Sequence, residues 1–369
     1  MADAFPTTLS GDARSEARIH ADLAELTRAI RESLGTELVA TLLLGGYARG
    51  EGSLVEHDGQ LGPYNDYDLV IVVPRVTKRV VRALHVVSET WSARLGVEVD
   101  AWPIAQRDLH PAPRILLWLD AALDGARVLD GDPSVLDDVR RLSVRDIPST
   151  ECARLLGNRA TGLALSNLEV DFDLRRARHG HKMVLALGDA ILLLANRYEG
   201  RVAARALALQ ALRASPNVGA ELADAYRDAM RFRARPDQWH PEGELDDWYA
   251  SILRLARDRH LRFEHMRIGT PNSVEGYAEF EGALFPSSAG VASMRDALAS
   301  VRANLKLGVR SLAHRSHPRE RLLRASILLA YEPTNRSARE KAANLLGIGH
   351  NGSDEALHAA LRAMSRVGG

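Results

Sequence analysis

Three carboxylates and a pair of glycines carry the chemistry open to this chain. Asp66 and Asp68 stand two apart at the head of an apolar run, Leu69–Val73, and Asp100 stands in the segment Val97-Glu98-Val99-Asp100. Residues i and i+2 of a strand share a face, so Asp66 and Asp68 project together while Tyr67 turns away. The alternation over 97–100 puts Asp100 on the acidic face of a neighbouring strand, with Glu98 on that face as a rival. Carboxylates this close repel, and at least one takes up a proton unless a cation lies between them. Hard divalent ions with oxygen ligands are the natural counter-charge. Two such ions clamp an in-line phosphoryl displacement. Asp66, Asp68 and Asp100 are therefore the expected ligands of two such ions and the expected catalytic groups.

Gly45 and Gly46 supply the phosphate side. They leave one apolar run and enter what reads as a helix start at Tyr47–Gly52. Glycine lets the backbone approach a ligand closely, and N–H groups at a helix start attract phosphate oxygens. Arg49, just inside this turn, is in place to reach a β- or γ-phosphate; otherwise it is a surface arginine. Glu51 reads as a charge in the first helical turn that offsets the helix dipole.

The elements that must position these residues follow from periodicity. Leu38–Leu44, Tyr67–Val73 and Val97–Pro103 read as strands, with a short fourth near Arg127–Leu129. Ala13–Leu34, stopped by Gly35, and Thr77–Leu95 read as amphipathic helices, with another over Arg114–Leu123. Leu54–Asn65 is a loop or short hairpin, and residues 1–10 read as disordered. From Ser149 onward helical spacing dominates, over 149–168, 172–198, 201–214, 218–233, 244–266, 290–307, 317–331, 335–347 and 353–366, with prolines between. The expected fold is α+β. A small mixed β-sheet domain with flanking helices (1–146, core about 36–105) precedes an all-α helical bundle domain (147–369).

The joint pattern resembles the nucleotidyltransferase superfamily that includes DNA polymerase beta. Its signature is a Gly-Gly or Gly-Ser pair after the first strand, then Asp-x-Asp, then a third Asp on a later strand. Here these are Gly45-Gly46, Asp66-x-Asp68 and Asp100. The run GGYARGE is also similar to the opening of the bacterial uridylyltransferases that modify the PII signalling protein, whose regulatory domains have no counterpart here. The resemblance covers about residues 36–105. Glycine at 46 departs from the Gly-Ser version, so backbone N–H groups must replace a serine hydroxyl at the triphosphate. The two-part architecture is similar to small-molecule nucleotidyltransferases, including those that inactivate aminoglycosides. In similar enzymes a helical-domain lysine reaches the triphosphate, and Lys182 in HGHKMVLALGDA matches that role; otherwise it is a solvated helix lysine. The resemblance implies an NTP donor, ATP first, and Mg2+. Among acceptors, a small-molecule hydroxyl comes first, a protein side chain second and an RNA 3′ end third. A non-catalytic NTP sensor is the rival from another class.

Several features are set aside. Asp-x-Asp recurs at Asp171-Phe172-Asp173, where a helix cap is the plain reading. His179 and His181, two apart in a helix, do not share a face and make a poor metal pair. Trp91, Trp118 and Tyr226 sit at core spacing. The 369 residues suffice for two domains, and 46% hydrophobic content supports a core. Lys+Arg and Asp+Glu both number 48, which argues against a strongly basic nucleic-acid surface. Cys152 is the single cysteine, so no intramolecular disulfide forms. No signal-peptide core or membrane-length apolar run is found, and a cytoplasmic location with no membrane partner is expected.

Overall fold

The computed structural model describes residues 5–169, 173–285, 303–305, 317–349 and 352–367. The chain is α+β. Its sheet is built from β1 (Ala40–Leu43), β4 (Tyr67–Val73), β5 (Val99–Ala105) and β6 (Arg127–Gly131), in the order β5-β4-β1-β6. β4 and β5 run parallel, while β1 is antiparallel to both β4 and β6. The parallel pair needs a crossover, and α3 (Lys78–Leu95) provides it. Thr77 caps α3 by accepting from Val80 N–H, and Gly96 ends it in a left-handed conformation. That turn uses the first residues of the expected third strand, which is why β5 begins at Val99 rather than Val97.

The two sheet faces have separate cores. Odd-numbered residues of β4 and β5 (Leu69, Ile71, Val99, Ala101) pack with α1 (Ala13–Leu34) and α3. Even-numbered ones (Val70, Val72) pack with Leu42, Leu44, Leu109, Trp118 and Val139, and Trp102 and Ile104 join them partly buried. Asp68 and Asp100 are even-numbered and belong to this second face.

The segment Leu54–Asn65 is a hairpin, β2 (Leu54–His57) with β3 (Gln60–Pro63). Its base is closed by Ser53 N–H donating to Asn65 Oδ1 at 2.9 Å. The start of the chain corrects the expectation of disorder over 1–10, as far as residues 5–10 are concerned. Thr7 and Thr8 are buried, and Glu16 accepts from both backbone N–H groups (2.8 Å each) and both hydroxyls (2.6 Å each). Four donors hold the Glu16 carboxyl below its ordinary value against the effect of burial.

The rest is helical: α4 (Leu116–Asp120), α5 (Ser149–Leu168), α6 (Asp173–Leu194), α7 (Val202–Ala211), α8 (Gly219–Ala234), α9 (Leu245–Ile268), α10 (Val274–Glu279), α11 (Pro318–Tyr331), α12 (Arg336–Leu346) and α13 (Asp354–Val367). These match the expected spacing; α10 was not expected. The helix expected over 290–307 falls outside the described residues except for 303–305, as does Asp171. Trp91, Trp118 and Tyr226 are buried. Two compact units emerge. The first is Met1–Glu151 with Leu192–Ala214 and Arg227–His240; the second is Cys152–Ile191, Ser215–Tyr226 and Pro241–Gly369. The first unit therefore takes in two segments from beyond residue 146. Among the described residues no helix is long and apolar enough to cross a membrane.

Candidate active site

β1 ends at Leu43, and Leu44 N–H donates to Asp68 O at 2.8 Å, which sets Gly45 beside the start of β4. Gly45 has φ +72°, and a Cβ there would lie 2.2 Å from Asp68 Oδ2. Only glycine meets both demands: the left-handed backbone and the room for a carboxylate. Tyr67 is fully buried on the opposite face, its ring 4.9 Å from that of Tyr47, so Asp66 and Asp68 flank a locked anchor.

The parallel ladder sets Asp68 directly opposite Asp100. Partial burial, and then the negative charge of Asp66, hold the Asp100 carboxyl above its ordinary value. Asp68 and Asp100 thus share one end of one sheet face, and Asp66, just before β4, is within electrostatic reach of Asp100. Of the two acidic candidates, Asp100 is the one on β5, registered to Asp68 and within electrostatic reach of Asp66; Glu98 precedes the strand, its carbonyl accepting from Tyr67 N–H at 2.9 Å. Among the described residues no three His, Cys, Asp or Glu side chains are close enough together to hold a metal ion as they stand. The carboxylates are neighbours rather than a preformed cluster. Their all-oxygen donor set is of the kind a hard divalent cation takes.

The glycine turn differs from expectation. Helix α2 spans only Gly45–Ala48, and the chain then turns at Gly50 with φ +73°. Four residues make one turn, too short for much dipole, so the expected helix over Tyr47–Gly52 is not formed. The following loop is fastened from the chain start instead: Gly52 N–H donates to Thr7 O at 2.9 Å, and Leu9 N–H to Gly52 O at 3.3 Å.

Arg49 is turned inward. Its guanidinium is sequestered, with Nε 3.0 Å from Glu51 and Nη1 3.4 Å from Asp120, and its side chain is 9% exposed. It is part of a buried ionic network rather than a surface arginine. Glu51 lies beyond α2, so it is not in that helix's first turn. It is buried and accepts from Val202 N–H at 2.7 Å, which places its charge at the N-terminus of α7. The dipole reading was right in kind, but the helix lies 151 residues downstream. Asp120 completes the network by accepting from Tyr198 Oη at 2.7 Å and Arg205 at 3.2 Å.

The cation that the structure sets at the glycine pair is Arg233, on the last turn of α8 within the first unit. A Cβ at Gly46 would stand 3.0 Å from its Nη2. Its Nε donates to Glu51 O at 3.3 Å, and Nη2 lies 3.7 Å from Glu51 Oε2. No local signal marks Arg233, one of many arginines on polar helix faces. Trp102, two residues beyond Asp100 and on its face, was likewise missed and is partly exposed.

Lys182 belongs to the second unit, half-buried in the middle of α6. Burial, and then the Lys182 charge, depress the His179 pKa to about 4. Burial takes His181 down to about 3, and its ring lies 4.7 Å from that of Trp248. Both imidazoles are neutral at ordinary pH. Compared with models of known protein families and with curated protein sequences, the chain matches none.

Proposed function

We propose that this chain is a Mg2+-dependent nucleotidyltransferase that moves an NMP, with ATP the first donor to test, onto the hydroxyl of a small-molecule acceptor. The observation that carries the reading is the registered pair Asp68 and Asp100 beside a Gly45 whose missing side chain makes room for Asp68. A strand-turn-strand of purely structural purpose has no need of three carboxylates at one sheet end.

Asp66, Asp68 and Asp100 would hold two Mg2+, whose charge offsets the triphosphate and acidifies the acceptor hydroxyl. The remaining work falls to the chain. Gly45 and Gly46 let the triphosphate lie against the backbone. The acceptor oxygen bonds to the α-phosphorus, the bond from that phosphorus to its bridging oxygen breaks, and pyrophosphate leaves with the electron pair. Asp100 takes the hydroxyl proton.

The test is incubation with each α-³²P-labelled NTP, Mg2+ and cell lysate, followed by fractionation. Label in a small molecule supports the reading. Label in protein or RNA keeps the chemistry and changes the acceptor. Mg2+-dependent NTP binding without pyrophosphate release, over a broad acceptor panel, favours a sensor.

A further inference from the structure

Gly46 has an occupant where a side chain would be. A Cβ there would approach Arg233 Nη2 to 3.0 Å, with Glu51 O next at 3.4 Å. The guanidinium therefore stands against Gly46. Its donor to Glu51 O, and the nearby Glu51 carboxylate, fix the plane of the fork. Glu51 is itself immobilised by Arg49 and by the first N–H of α7. Of the three arginines in this network, Arg49 and Arg205 are nearly sealed, at 9% and 4% exposure, whereas Arg233 retains 22%. It is the member of the network with surface to offer a ligand.

A planar, permanently charged fork of N–H donors matches phosphate oxygens in geometry and charge. We infer that Arg233 binds the polyphosphate tail of the nucleotide at Gly46, in the space a side chain at position 46 would fill. This inference rests on the nucleotidyl-transfer reading. It also accounts for glycine where a serine hydroxyl could have served: a serine and this guanidinium compete for one place, and here the guanidinium holds it.

The test is calorimetric titration of the full chain, with Mg2+ at fixed ionic strength, using the four NTPs and the four corresponding NMPs. The tightest-binding NTP is then compared with its own NMP. Arg233→Ala is expected to weaken the NTP at least tenfold and leave the NMP within twofold. Arg233→Lys, which keeps the charge and loses the fork, is expected to fall between. Gly46→Ser is expected to weaken the NTP in the wild-type background and to recover part of the loss when combined with Arg233→Ala. If Arg233→Ala does not fold, Arg233→Gln takes its place, since its amide can still donate to Glu51 O. Unchanged NTP affinity in the variant overturns the inference and leaves the nucleotidyl-transfer reading standing. Parallel loss of NTP and NMP affinity overturns it too, because that marks a purely structural role. A wild-type chain that binds no NTP at all removes the reading itself, and the inference with it.

Discussion

Two adjacent glycines face opposite charges. The missing side chain of Gly45 admits the Asp68 carboxylate, and that of Gly46 admits the Arg233 guanidinium. The Gly45 side is assembled from neighbours in sequence and sheet: Asp66 and Asp68 on one strand start, and Asp100 on the strand paired with it. The Gly46 side is assembled from distant helices through one buried glutamate. The lesson is that one corner of the chain can serve two electrostatic purposes when each residue gives up its side chain to a different partner. A triphosphate with its metal ions needs both: carboxylates for the metal and a cation for the oxygens.

The strongest challenge to this comparison is Asp68→Asn, which is expected to lower turnover at least about 10³-fold while the fold and Tm are retained. Label transfer near the wild-type rate would remove Asp68 from the chemistry. Next comes Glu51→Gln. It removes the buried charge that Arg49 and Arg233 share, and is expected to cost about 3 kcal/mol in denaturant unfolding. A cost below about 0.5 kcal/mol would mean the Gly46 side stands without its glutamate.

Gly45→Ala and Gly46→Ala sharpen the contrast between neighbours. At 45 the φ of +72° and the 2.2 Å approach to Asp68 both oppose a methyl group. Backbone strain of roughly 1–3 kcal/mol is expected, and displacement of Asp68 is expected to cut turnover about 10²-fold. At 46 the nearest atom is the far end of a flexible arginine, which can retreat by a few tenths of an ångström. The expected loss there is under about tenfold, the mark of mild overpacking. Equal losses at the two positions, in one steady-state assay, would erase the distinction.

The smallest effect at neutral pH belongs to the second unit, which gives a reference outside the corner. Burial lowers His181 and His260 to about 3. The unfolded chain binds these protons near pH 6.5, so folding excludes them between that pH and about 3. Stability is full above pH 6.5 and falls as the pH drops through that window, by up to about 1.4 kcal/mol per pH unit for each histidine. His181→Phe, which keeps a ring against Trp248, is expected to flatten the acid limb of a pH series of denaturant midpoints and leave the neutral value nearly unchanged. An acid limb as steep as that of the wild type would exclude His181 as a contributor.

What could be read in the sequence was what local periodicity encodes. Ile19, Leu23, Leu26 and Ile30 mark α1, and Tyr67–Val73 marks β4 residue for residue, because burial on one face imposes spacing. Asp68 and Asp100 were legible for the same reason, since each sits at a fixed phase on a strand, and Asp66 immediately precedes β4. The partners of Arg49 were not legible, because Asp120, which takes its guanidinium, lies 71 residues on. Arg233 lies 182 residues from Glu51, and nothing in the spacing of α8 distinguishes it from Arg231 or Arg235. The start of the chain was misread because Thr7 and Thr8 look polar and mobile until Glu16 supplies acceptors for all their donors.

The bond from Val202 to Glu51 has a consequence for how the molecule is made. A ribosome adding about 5–20 residues per second needs roughly 8–30 s to travel from one partner to the other. Within that interval β4, β5 and β6 are completed and can pair with β1, but the glutamate has no helix to cap and the Arg233 guanidinium has not been synthesised. The acidic half of the corner is thus born first and must wait for its basic half.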